Sequence, residues 1–160
     1  MALMRKAIAR RSLLRRAAGV AAVLAAAAGT LRAQDGSEAL WSRLRRIERA
    51  FVQGDANSLR LSFSTTGKLR IDLKDLTDGQ TSFAPGQLQV IFGQIFQEHR
   101  TREMVFDRDD VTLSSSGTAF VRGRWVRRPQ HGGAETVERL TFTLREESGD
   151  WRILEIRSSR

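Results

Sequence analysis

Beyond Arg100 the chain carries four strand-like runs in succession, approximately residues 102–114, 118–128, 135–146 and 151–158, separated by SSSG, PQHGG and ESGD. Each separator is a turn signal, so the runs read as a β meander that extends to the end of the chain. Charge and bulk choose the registers. Centred on His131, the second hairpin sets Arg127 against Glu135, Arg124 against Glu138, Trp125 against Val137 and Phe120 against Phe142; a shift by one residue would oppose Arg124 and Arg139. Centred on Gly149, the last hairpin sets Glu146 against Arg152, Leu144 against Leu154 and Phe142 against Ile156. The expected inner face is Phe120, Leu140, Phe142, Leu144, Leu154 and Ile156.

Ahead of the meander the apolar spacing is helical. Leu40, Leu44, Ile47 and Phe51 share one face, with Arg43, Arg45, Arg46 and Arg49 mostly outside it. Gly54 can take a left-handed cap and Asp55 can open the next helix, whose face continues through Leu59 and Phe63. Alternation in GKLRIDL predicts one short strand, with Leu69, Ile71 and Leu73 on one side. From Pro85 the helical period returns in Leu88, Ile91, Phe92, Ile95 and Phe96, and His99 falls on the same stripe. The fold class is therefore α+β: three N-terminal helices against a curved antiparallel sheet of four long strands plus one short one.

The formal charge of +9 is misleading until the chain is divided. Residues 1–33 hold Lys6 and six arginines with no acidic residue, and removing those seven from 27 basic residues leaves 20 against 18 acidic ones. A remainder of +2 does not call for a nucleic-acid partner. The first segment reads as an export signal: a basic region, the alanine-rich run Ala17 to Leu31, and LRA as a processing site before Gln34. Its fifteen mildly apolar residues fall short of the roughly 20 needed to span a bilayer. Arg10 and Arg11 within ARRSLLR resemble the twin-arginine export motif, although Ala9 and Leu13 replace its usual Ser or Thr and Phe. An arginine-rich general secretory signal is the alternative. The expected organisation is an export signal over 1–33, a short mature segment over 34–37 and one domain over 38–160, placed in the periplasm or outside the cell. With no cysteine there is no disulfide, thiol nucleophile or zinc-thiolate site. No cofactor is expected.

Helices followed by a long curved sheet, with AFVQGDANSLRLSFS early and GDWRILEIRSS late, make residues 38–158 resemble the nuclear transport factor 2-like (SnoaL-like) superfamily. More closely, AFVQGDANSL, GKLRIDL, QLQVIFGQIFQEH and WRILEIR resemble a family of small exported bacterial proteins with no assigned function. The resemblance implies a cone-shaped fold. It also brings in steroid isomerases, which use an Asp base with a Tyr and a protonated Asp, and dehydratases, which pair a His with an Asp. This chain has no Tyr, so the isomerase arrangement does not carry over. Neither His99, at a helix end, nor His131, in a Gly-rich turn, matches a dehydratase histidine on a strand.

No catalytic residue and no metal ligand is therefore assigned. In the last turn of a helix His99 closes the helix against its dipole; the competing reading makes it a base in a pocket. Asp107, Asp109 and Asp110 read as an irregular strand start or a bulge. In the expected register Arg122, Arg124 and Glu138 face the helices, and with His99 they form the candidate ligand-binding set. Val121, Trp125, Val137, Trp151 and Ile153 occupy the opposite sheet face, where they are the candidate interface of a homodimer. Two functions follow. One is a non-catalytic binding module for a small apolar or carboxylate-bearing ligand or a protein partner. The other is an isomerase- or hydrolase-type enzyme with His99 or an Asp as base. The missing Tyr and the histidine placement favour the first.

Overall fold

The computed structural model describes residues 36–74, 76–77 and 82–158, and the expected export segment with Arg10 and Arg11 lies outside them. A helix over 36–53 (α1) buries Leu40, Leu44, Ile47 and Phe51, the face that the spacing predicts. It stops where Gly54 turns left-handed at φ +65°, and the Asp55 amide returns to the Ala50 carbonyl at 2.9 Å. Asp55 then caps α2 (Ala56–Arg60), its carboxylate accepting from the Ser58 amide at 3.0 Å. The short strand β1 (Leu69–Asp72) follows, then β2 (Ser82–Phe83). Pro85 opens α3 (Pro85–Glu98), which buries Leu88, Phe92, Ile95 and Phe96.

Four long strands complete the chain: β3 (His99–Leu113), β4 (Thr118–Pro129), β5 (Thr136–Glu147) and β6 (Asp150–Ser158). They form the expected meander within one sheet of order β2-β1-β6-β5-β4-β3. Two details differ from the expectation. The sheet gains β2, and β1 lies parallel to β6, so the sheet is mixed rather than antiparallel throughout. The Asp-rich run does form a bulge: the β3–β4 register shifts between Phe106 and Val111.

The second hairpin departs from its expected register by one residue. Trp125 lies opposite Glu138, Val121 opposite Phe142, and Arg124 opposite Arg139. A one-residue slip exchanges the faces, so Ala119, Val121, Gly123, Trp125 and Arg127 point inward and Phe120, Arg122 and Arg124 outward. Magnitudes explain the choice. Like charges opposed on an exposed face cost about 0.2–1 kcal/mol, whereas enclosing a tryptophan removes roughly 150–250 Å2 from water, about 4–6 kcal/mol. Trp125 is 0 % exposed and Phe120 is 47 % exposed. Gly123 fits the same register, because a Cβ there would come within 2.6 Å of Met104 Cε and 2.8 Å of the Phe106 ring.

The last hairpin keeps half of its expected pairing. Phe142 meets Ile156, but a bulge beyond Thr143 brings Leu144 opposite Ile153 and Glu146 opposite Trp151. Its two-residue turn, Ser148 and Gly149 at φ 52° and 81°, has the geometry that suits tight hairpins. Leu154 is consequently displaced from the inner face, and Trp151 and Ile153 replace it.

Between helices and sheet, Phe51 is the hub. Its ring meets Phe92, Phe96, Trp125 and Phe142 edge-on at centroid distances of 5.8, 5.6, 5.5 and 6.2 Å. Phe63 and Phe106 extend the cluster through Phe92 and Phe142. Side chains thus fill the interior that the sheet wraps.

Candidate functional site

The corrected register redistributes the sequence-predicted residues. Arg122 and Arg124 stand on the outer face, the first 3.8 Å from Asp110 and the second paired with Glu103. They do not edge an internal pocket. Val121, Trp125, Trp151 and Ile153 belong to the core and cannot form an outer interface, whereas Val137 remains outside at 58 % exposed. Glu138 does turn inward. Its partner is Arg127, a residue that alternation in the assumed register had placed on the opposite face.

Arg127 is the unexpected group here. It is 7 % exposed. Its guanidinium carbon lies 5.2 Å from the Trp125 ring centroid, and Nη2 stands 3.6 Å from Glu138 Oε2. Trp125 Nε1 donates to Thr101 Oγ1 at 3.0 Å, and Ser158 Oγ donates to Glu138 Oε1 while accepting from the Lys74 amide at 2.9 Å. The start of β3, the end of β4, the start of β5 and the end of β6 therefore meet in one polar network at the rim of the aromatic core. An ion pair this buried persists only when both charges are compensated. Here stacking on Trp125 and the Ser158 hydroxyl supply part of that compensation.

His99 touches this network from the helix side. Its backbone amide donates to Ile95 O, and α3 ends there. Its side chain is not poised to be charged there: burial, and then the Arg127 guanidinium, hold its pKa below the usual value, with Glu98 opposing them. Arg127 Nη1 is 3.5 Å from His99 Nδ1. A guanidinium can only donate, so in this pairing Nδ1 is the acceptor and the ring proton resides on Nε2. The residue then offers a neutral N–H donor rather than a base.

His99 also lines a groove of about 590 Å3, together with Gln53, Asp55, Gln97, Arg100 and Gln130, among others. Asp55 is committed to its helix cap. Ser58 donates to it from both hydroxyl and amide, and these bonds hold its carboxyl below the usual range. The bulge residues Asp107, Asp109 and Asp110 lie outside this lining. The groove is thus rich in donors and has no free carboxylate to orient a histidine as base. Among the described residues no three His, Asp or Glu side chains gather as a metal site, and no helix is long and apolar enough to cross a membrane.

No protein-family model and no curated protein matches the chain. Solved structures do. A nuclear transport factor 2-like protein of unknown function from Shewanella oneidensis MR-1 superposes with a TM-score of 0.60 at 16 % identity, covering 78 % of this chain and 98 % of that one. A domain of unknown function with a cystatin-like fold from Nostoc punctiforme gives 0.59 at 14 % identity, over 78 % and 76 % of the two chains. A Streptomyces avermitilis protein described as a "putative dehydratase" of the same fold family gives 0.57 at 17 % identity, over 76 % and 93 %. At these identities the likeness speaks for the fold.

Proposed function

We propose that this chain, which has the nuclear transport factor 2-like fold, is an exported, non-catalytic binding module for a carboxylate-bearing small molecule held in the groove beside His99. The carrying observation is the 3.5 Å approach of Arg127 to His99 Nδ1, which leaves the imidazole as a donor. His99 Nε2, the exposed Arg100 guanidinium and the amides of Gln53, Gln97 and Gln130 suit an acceptor-rich group. A carboxylate suits this groove better than an apolar ligand, because its lining is rich in polar side chains. The export part of the reading rests on the basic, alanine-rich N-terminus.

Thermal shift against a carboxylate panel, followed by titration calorimetry, tests the site. Arg100→Ala should weaken binding by about 1–2 kcal/mol, somewhat less than the ~1.5–3 of a fully enclosed charge-assisted hydrogen bond, because Arg100 is exposed. His99→Gln keeps an N–H donor and should change affinity by no more than about threefold, a fraction of one hydrogen bond. Loss of turnover in His99→Gln, for any substrate the protein converts, would establish the enzyme reading instead.

Copies of the chain are proposed to pair through the outer sheet face, where Val137 on β5 and Val105 on β3 are exposed. Val137→Arg should then convert dimer to monomer in sedimentation equilibrium with an unchanged circular dichroism spectrum. A parent protein that is monomeric at micromolar concentration removes the pairing.

A further inference from the structure

Along α1, Arg43, Arg46, Ala50 and Gln53 recur at intervals of three, four and three, so they form one stripe, with Arg49 at its border. This stripe, Leu61, Ser62 and Arg152 of β6 line a second groove of about 510 Å3. It adjoins the one beside His99, with which it shares Gln53, but its arginines do not line that one.

The floor of this groove is fixed. Arg43 is buried, bonded through Nη2 to both oxygens of Asp150 and through Nη1 to Ser62 Oγ at 3.4 Å and the Leu61 carbonyl at 3.5 Å. Its Nε is buried and reaches no acceptor. Arg152 shares Asp150 at 3.0 Å and also donates to the Leu61 carbonyl. One carboxylate therefore serves two guanidiniums. Arg46 and Arg49 are exposed, and among the described residues neither meets a carboxylate; Arg49 reaches only the Arg45 carbonyl, at 3.4 Å. Four guanidiniums thus line a concave surface, and Asp150 is the carboxylate that meets any of them among the described residues.

Such a set of like charges repels itself. Arginines three apart on one helix repel by a few tenths of a kcal/mol per pair, and groove walls of low dielectric sharpen the local field. Guanidinium geometry matches the paired oxygens of carboxylate and phosphate, and the volume suits a small molecule rather than a polymer segment. Asp150 already displays the bonding pattern, an oxyanion bridging Arg43 and Arg152; Arg46 and Arg49 are placed to extend it to a second anionic group. We propose that the groove between α1 and β6 binds a small, multiply charged oxyanion, with Arg46 and Arg49 as its principal contacts.

Calorimetric titration of the purified protein with pyrophosphate and with citrate, at matched ionic strength against chloride, tests this. At least one anion should bind saturably, and Arg46→Ala/Arg49→Ala should weaken it by about tenfold or more, the effect of removing charge-assisted hydrogen bonds. Preference for pyrophosphate assigns a phosphate-bearing ligand, and preference for citrate a polycarboxylate. Arg139→Ala/Arg157→Ala makes the same change in charge on exposed residues of β5 and β6 outside the groove, and should alter affinity by less than about threefold. His99→Gln should leave the affinity unaltered, which keeps this site distinct from the groove beside His99. No saturable binding beyond the chloride control, or equal weakening by the two double variants, overturns the proposal.

Discussion

Trp125→Ala is expected to lower the unfolding free energy by about 3–5 kcal/mol, the range for removing a large aromatic from a packed core. Phe120→Ala should cost no more than about 1 kcal/mol, as a half-exposed position does. The asymmetry follows from burial: Trp125 is 0 % exposed and packs edge-on against Phe51, while Phe120 is 47 % exposed on the outer face. Trp125 also gives its indole proton to Thr101 and stacks beneath Arg127, so truncation leaves a buried hydroxyl and a buried cation short of partners. Urea denaturation measures both variants, with a lowered midpoint and an unchanged slope as the signature of lost packing. The comparison also tests the sheet register. If Phe120→Ala proved the costlier change, the inner face would be the one that charge pairing alone predicts.

That register marks the limit of what the sequence made legible. Helices α1 and α3 were readable because their apolar residues fall on one face only, and Gly54 and Asp55 punctuate the chain with side chains suited to a single backbone geometry. On β4 the apolar residues occur in both parities, Phe120 and Val126 against Val121 and Trp125, so alternation could not choose a face. Opposed charges then decided the reading, although exposed charges are the weaker force. Gly123 was the missed signal: a glycine between two inward residues fits a strand over which Met104 and Phe106 fold closely. Once the register moves by one, Arg122 and Arg124 leave the candidate site and Arg127 enters it. The bulge that brings Trp151 and Ile153 inward has no comparable sequence mark. His99 was legible as a helix terminator from its place after Phe96, but its protonation was not. That depends on Arg127, 28 residues away in the chain.

Asp150→Ala is expected to cost about 3 kcal/mol, the low end of the ~3–5 that follows when one partner of a buried ion pair is removed. The low end applies because Asp150 keeps 40 % of its side chain exposed, so water can replace part of what it supplies, whereas Arg43 is only 7 % exposed and would lose its carboxylate. The variant Arg43→Met/Asp150→Ala should regain most of the loss, since a thioether of similar reach leaves no charge to solvate. The same pair gives stability a pH dependence of defined sign. Burial pushes the Asp150 carboxyl up, but the hydrogen bonds and charge of Arg43, with Arg152 behind, pull it down further, and its folded pKa ends below the unfolded value. A depressed carboxyl stabilises fully above its unfolded pKa of about 3.9, and that contribution is lost as pH falls through the folded value. Glu147 acts in the same direction: burial raises its carboxyl, and bonds from Ser64, Arg145 and Thr66 outweigh that. His99 adds an earlier step. Burial and Arg127 depress its folded pKa, so its contribution is complete above about pH 6.5 and declines as pH falls below that. Denaturation midpoints measured downward from pH 7 should therefore fall first through a shallow step that His99→Gln removes. A steeper acid step should follow, in which the parent and Asp150→Ala converge as the carboxylate they differ by is protonated.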